Sequence, residues 1–303
     1  MPQKEMINTL THLAFELKFK LPEIESIINN IDKFYYEKVE IKPDKFGNPK
    51  LKNGVIQKRV LNPSITRLKL LQKNIQRNIL LKLEMPDYAF GAVKGKDNVQ
   101  NAKQHQGKKY IFTTDLKSFF PSINHKRVFE MFRSFNFSPT VARVLTQLTT
   151  FKGRLPQGAP TSPTVANLVF VKTGKKLLEF AKENKLTFTS FVDDLTFSAP
   201  TDFKSKAQFI IETLQADGFK ISHNKTNYKT KMPVVTGVVV KNNKLSLTDN
   251  FKIKLNNTED STPERIKGLQ QYAAKVAKTN SSPLLTAIRQ PLTGGLALLG
   301  QTW

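Results

Sequence analysis

The run Phe191-Val192-Asp193-Asp194-Leu195-Thr196-Phe197 sets two adjacent carboxylates inside an apolar, β-rich segment. Phe191, Val192, Leu195 and Phe197 favour a packed sheet, so a tight hairpin with Asp193 and Asp194 at its tip is expected over residues 186–198. In a plain strand the two side chains would point to opposite faces, whereas a hairpin tip relaxes that alternation and can bring both toward a third ligand.

Asp115 is the candidate for that third position, because it ends the short β-rich run Tyr110-Ile111-Phe112-Thr113-Thr114. Three carboxylates brought together repel one another and raise each other's pKa unless a cation sits among them. Hard oxygen donors of this kind suit Mg²⁺, with Mn²⁺ as a substitute, and two such ions support in-line phosphoryl or nucleotidyl transfer.

The chain around these acids is strongly basic: 48 Lys and Arg stand against 24 Asp and Glu in 303 residues, a formal net charge of +24. The excess is spread along the chain, which favours a polyanionic partner, either nucleic acid or an anionic membrane surface. There is no cysteine and there are only four histidines, so disulfides, thiol catalysis, zinc ribbons and a His-only metal centre are excluded. No apolar stretch is long enough to span a bilayer and the N-terminus lacks an apolar leader, so the default expectation is a cytoplasmic protein without membrane attachment.

Local signals fill in the rest. Asn53-Gly54 marks a hairpin among Lys50, Lys52, Lys58 and Arg59, and Ser64 is a candidate start for a helix with Leu68, Leu71, Ile75 and Ile79 on one face. Asn124 and Ser138-Pro139 open two further helices, and Ser162-Pro163 opens a long one reaching Leu178. Strand signals return at 234–240 and 245–247. Ser261-Thr262-Pro263-Glu264 then begins a helix with Ile266, Leu269, Ala273 and Val276 on one side, and Gly294, Gly295 and Gly300 break the last apolar segment. The mixture predicts an α+β catalytic body with a helical C-terminal appendage.

Several strings together resemble bacterial retron reverse transcriptases, over roughly residues 50–240. Thr113-Thr114-Asp115-Leu116-Lys117-Ser118-Phe119-Phe120 resembles the first palm motif, and Leu155-Pro156-Gln157-Gly158-Ala159-Pro160 the second. Phe191-Val192-Asp193-Asp194 stands where the family usually has Tyr-Ala-Asp-Asp. Asn101-Ala102-Lys103-Gln104-His105 and Val235-Thr236-Gly237 resemble two elements particular to retron enzymes.

The resemblance implies a right-hand polymerase fold whose palm is an antiparallel sheet backed by helices. The N-terminal region and fingers would span 1–105, the palm 106–124 and 159–245, a fingers insertion 125–158, and a helical thumb binding RNA and duplex 246–303. Asp115, Asp193 and Asp194 would bind both metals. Lys225 would act on the pyrophosphate, as proton donor or electrostatic clamp, and Arg59 would clamp the triphosphate. Leu116, Gln157 and Gly158 would contact substrate, and the Phe120 ring would exclude a ribose 2′-OH. Asn101, His105, Arg265, Lys267 and Lys275 would contact RNA, within a thumb also carrying Lys252, Lys254, Lys278 and Arg289.

The implied reaction is RNA-directed DNA synthesis from deoxynucleoside triphosphates, primed by a guanosine 2′-OH of a cognate structured non-coding RNA. The product would be branched RNA-linked single-stranded DNA (msDNA), in an anti-phage system with a separately encoded effector protein. The alternatives are a group II intron-like or other small bacterial reverse transcriptase using a conventional 3′-OH primer, a non-enzymatic RNA-binding protein and a membrane-surface protein. Homo-oligomerisation is left open.

Overall fold

The computed structural model describes residues 7–44, 48–241, 243–258 and 261–281. The expected breaks at Gly294, Gly295 and Gly300, and Arg289, lie outside the described residues.

Two short helices open the chain, α1 (Leu10–Leu17), capped by Thr9, and α2 (Leu21–Asn29) with proline in its first turn. Strands β1 (Lys38–Ile41) and β4 (Lys58–Leu61) then pair antiparallel. Between them lies the small hairpin β2 (Leu51–Lys52) and β3 (Val55–Ile56). Its turn residues Asn53 and Gly54 both have positive φ, 50° and 74°, as a two-residue hairpin of this sequence should.

Helix α3 (Thr66–Asn78) follows, burying Leu68, Leu71 and Ile75 as its periodicity requires. Ser64 does not cap it. Its hydroxyl donates to Gln72 Oε1 at 2.6 Å inside the core, and the helix begins two residues later.

Next come α4 (Asn98–Gln104), opened by an Asp97/Gln100 capping box, and β5 (Tyr110–Asp115). The one-turn α5 (Phe119–Ser122) leads to α6 (His125–Ser134) and α7 (Pro139–Thr149), capped by the side chains of Asn124 and Ser138. The long α8 (Ser162–Glu183) then runs beneath the hairpin β6 (Thr187–Phe191) and β7 (Asp194–Ala199).

After α9 (Ala207–Ala216) and β8 (Asn227–Lys229) the central sheet is complete. It has the order β6-β7-β5-β8, every neighbour antiparallel. Phe112, Phe188, Leu195 and Phe197 of this sheet are buried in one core with Val165, Leu168, Phe170 and Leu177 of α8.

The last elements are β9 (Val234–Val235), β10 (Val238–Lys241), β11 (Lys244–Leu247), α10 (Asp249–Asn256) and α11 (Pro263–Ser281). The three strands form a separate sheet with its own apolar cluster: Val99, Ala102, Ile111, Val235, Val238, Val240, Leu245 and Val276. These strands pack with α11 and with α4, and α4 also packs against β6.

Candidate active site

The acidic edge of the sheet is produced by register. Asp115 ends β5 directly opposite Asp194, the first residue of β7, and Asp193 occupies the turn between β6 and β7. Phe191 pairs with Asp194, so the turn contains only Val192 and Asp193. Val192 adopts φ 59°, a conformation a β-branched side chain resists at about 1–3 kcal/mol.

Two neighbours hold that turn. The Leu116 N–H donates to the Asp193 carbonyl at 2.9 Å. Behind it the segment Tyr88–Gly91 runs alongside β6: Ser190 N–H donates to Tyr88 O, and Phe90 N–H to Ser190 O, each at 2.8 Å. Gly91 presses so closely that a Cβ there would stand 2.7 Å from Val192 N and 2.8 Å from the Phe191 carbonyl carbon. Asn167 of α8 fixes Gly91 by donating from Nδ2 to its carbonyl at 2.7 Å. Gly91, Asn167 and Ser222 escape the sequence reading; a glycine closing the apolar run Tyr88-Ala89-Phe90 is the one signal they leave.

The electrostatics follow from packing. Asp115 is buried; its Oδ1 accepts from Ser222 Oγ at 2.6 Å and its Oδ2 from Lys225 Nζ at 2.5 Å. Burial, then the charges of Asp193 and Asp115, pushes the Asp194 carboxyl up to about 7. Burial and the Asp115 charge raise Asp193 as well. Burial pulls the Lys225 ammonium down, but its hydrogen bond to Asp115 and the three carboxylate charges outweigh this and move it upward.

Among the described residues no three acidic or imidazole side chains have their donor atoms already gathered into a metal cage, and Lys225 covers one Asp115 oxygen. The donor set nevertheless fits hard divalent cations. It comprises three carboxylates on one edge, two of them disfavoured as anions until positive charge arrives.

The remaining expected residues divide into two groups. Phe120 is half-buried on α5 beside Phe119, ring centroids 6.0 Å apart. The Gln157–Gly158 loop meets the end of β4: Asn62 N–H donates to Gln157 O at 2.7 Å, and Gly158 packs against Pro63 with φ 110°. The Arg59 side chain is exposed and bonded through Nε and Nη2 to Glu40 Oε2, its cross-strand partner. Arg265 and Lys267 are exposed on α11.

Three expectations are corrected. The Leu116 side chain is 1% exposed, so it serves the core while its N–H holds the turn, and it does not face substrate. Asn101 and His105 are buried and do not present themselves to RNA. Asn101 Nδ2 donates to Thr236 Oγ1 at 3.2 Å, and the His105 ring bonds Ser198 Oγ at 2.7 Å and Thr189 Oγ1 at 2.8 Å. Lys275, about half exposed on α11, pairs at 2.5 Å with Asp97, the cap of α4, as Arg59 pairs with Glu40. A polar side chain that faces a ligand and one that bonds a distant strand read alike in sequence.

The burial of His105 has a measurable consequence. Burial, followed by the Lys108 charge, lowers its pKa to about 3, so the ring is neutral in the fold. The unfolded ring titrates near 6.5. Stability from this site is therefore complete above about pH 6.5 and lost as pH falls toward 3, by up to about 1.4 kcal/mol per pH unit. Urea midpoints should fall below pH 6.5 for the wild type and fall less steeply for His105→Gln.

Comparisons with known proteins agree with this geometry. The family model described as reverse transcriptase (RNA-dependent DNA polymerase) matches residues 50–260. The retron Ec86 reverse transcriptase of Escherichia coli is 34% identical over 59% of this chain and 58% of its own length. The retron Se72 reverse transcriptase of Salmonella heidelberg is 36% identical over 46% of this chain and 37% of its own. The chain thus spans under two thirds of either relative. Among solved structures, telomerase from Candida albicans in complex with a telomeric RNA fragment superposes with a TM-score of 0.50 at 11% identity, covering 86% of this chain and 60% of that one. The likeness supports the right-hand polymerase architecture of fingers, palm and thumb.

Proposed function

Because the chain belongs to the reverse transcriptase (RNA-dependent DNA polymerase) family, we propose that it is a retron-type RNA-directed DNA polymerase. The observation that carries this reading is the pairing of Asp115 with Asp194 across β5 and β7, with Asp193 on the adjoining turn.

Asp115, Asp193 and Asp194 would hold two Mg²⁺ ions, with Mn²⁺ as a substitute. When bound, such ions lower the pKa of an attacking hydroxyl and neutralise a pyrophosphate leaving group. The chain's own side chains do the rest. Lys225, 58% exposed in its side chain and already beside the carboxylates, is positioned to meet the leaving phosphates as proton donor or electrostatic clamp. Arg59 presents a planar fork suited to a triphosphate, for which it must exchange Glu40 for phosphate oxygens. The Gln157–Gly158 loop, seated on the fingers strand, supports the templating or incoming nucleotide.

Phe120 supplies the sugar gate by occupying the space of one hydroxyl. Phe120→Ala is expected to lower the preference for deoxyribonucleotides over ribonucleotides by about 10-fold or more, the scale of one pocket contact. Single-nucleotide incorporation with each sugar checks it.

The primer in this reading is a guanosine 2′-OH of the cognate non-coding RNA, and the product is msDNA. An anti-phage role with a separately encoded effector is part of the same proposal. Nucleic acid copurified with the protein, treated with ribonuclease and debranching enzyme and then sequenced, should show single-stranded DNA joined 2′ to 5′ to a guanosine. DNA without a branch would instead indicate conventional 3′-OH priming.

A further inference from the structure

In the two strings particular to retron enzymes Asn101, Ala102, His105 and Val235 are buried, and lysine-bearing loops adjoin both. His105, bonded to β6 and β7, is followed by Gln106, which donates to the Asn243 carbonyl, and then by Gly107-Lys108-Lys109. The Val235-Thr236-Gly237 turn is clasped by α4 through Asn98 and Asn101. Just before it lies Thr230-Lys231-Met232-Pro233, and β10 just after it ends in Lys241. Val240 N–H donates to Pro233 O at 2.9 Å and closes the two stretches on each other.

Lys108, Lys109, Lys231 and Lys241 line one open cavity of about 490 Å³ with Gly107, Thr230, Met232, Pro233 and Val240. Among the described residues no acidic side chain lines it and none of the four lysines takes part in an ion pair. Four lysines lining one hollow, Lys109 with its Nζ 5.4 Å from the Tyr110 ring centroid, concentrate positive charge there, a cost that an external polyanion removes. The backbone is committed to this arrangement, with positive φ at Gly107 (78°) and at Met232 (46°).

The cavity lies at the Tyr110 end of β5, and Asp115 is at the other, about 17 Å away at the usual rise per residue. An occupant therefore leaves the catalytic edge open. Met232, which lines it, stands 51% exposed, an apolar contact for ribose faces beside the lysines.

We infer that this four-lysine cavity is a docking site for the phosphate backbone of a structured RNA helix, separate from the active site. Asn101, His105 and Val235, buried within those two strings, would position the lysine loops without touching RNA. The inference rests on the RNA-directed polymerase reading for its choice of polyanion.

The test uses the full chain with Lys108→Gln, Lys109→Gln, Lys231→Gln and Lys241→Gln combined, beside the matching fourfold Lys→Arg protein. A long RNA hairpin with a single-stranded tail is bound across a salt series. Extension is measured on a primer–template too short to reach past β5. The Gln protein should bind the hairpin about 10- to 100-fold more weakly, with the slope of log affinity against log salt reduced by about 3. It should extend the short substrate at the wild-type rate, and the Arg protein should keep both properties.

Hairpin affinity and salt slope equal to wild type in the Gln protein would overturn the site. So would an equal loss for a matched DNA hairpin or for anionic vesicles, which would signal general cation attraction. Failure of the wild type on the short substrate would count against the polymerase reading, while the hairpin comparison would still decide the docking site.

Discussion

Asp194→Asn is expected to make the protein more stable at neutral pH while ending DNA synthesis. The Asp194 carboxyl is pushed up to about 7 by burial and by the charges of Asp193 and Asp115. In the unfolded chain it titrates near 3.8. The folded state therefore holds this proton more tightly than the unfolded state does. Its contribution to stability is fully present below pH 3.8 and is lost as pH rises toward 7. The neutral amide removes that repulsion, a gain of about 2 kcal/mol once coupling among the three acids is allowed for. Thermal unfolding at pH 7 should show a higher Tm for the variant, and at pH 4 the two proteins should converge. Added Mg²⁺ should raise the wild-type Tm more than the variant's, since a cation relieves the same repulsion. A variant less stable than wild type at pH 7 would contradict this electrostatic account.

The second large effect is expected from a residue that touches no substrate. Gly91→Ala introduces a Cβ within 2.8 Å of the backbone of Phe191 and Val192, where no side-chain rotation can make room. The turn is already strained at Val192, and Asn167 holds Gly91 from behind, so the displacement falls on Asp193. A shift of about 1 Å in a reacting group lowers turnover on the order of 100-fold. Single-turnover nucleotide incorporation should fall by about that factor, with RNA affinity unchanged. Val192→Ala should restore little of it, because the closest contacts include backbone atoms. Wild-type turnover in Gly91→Ala would show that the turn is not held from this side.

Much of the site was legible locally. Tyr110–Asp115 reads as a strand because its residues are β-branched or aromatic and it ends on a polar side chain. The Asp193–Asp194 hairpin reads from its apolar flanks, and Asn124 and Ser138 read as helix caps from the helix-forming residues after them. Each signal lies within a few residues of its effect. The illegible features all depend on distant partners. The second sheet is built from short strands, and its core needs Val99 from α4 and Val276 from α11. Asn101 and His105 look like ligand-facing polar residues until Thr236, Thr189 and Ser198 are found beside them. Leu116 sits next to Asp115 in sequence, but its side chain turns into the core. The positive φ at Val192 violates local preference, so no local reading could place it.

The central claim is that Asp115, Asp193 and Asp194 act as one cation-holding unit in RNA-templated DNA synthesis. Primer extension on an RNA template with deoxynucleoside triphosphates, comparing wild type with Asp115→Asn at equal RNA occupancy, tests it most directly. Wild-type synthesis should require a divalent cation, and Asp115→Asn should be slower by about a thousandfold or more, the loss of about 4 kcal/mol of transition-state stabilisation. Synthesis by Asp115→Asn at the wild-type rate, or by the wild type without any divalent cation, would contradict it.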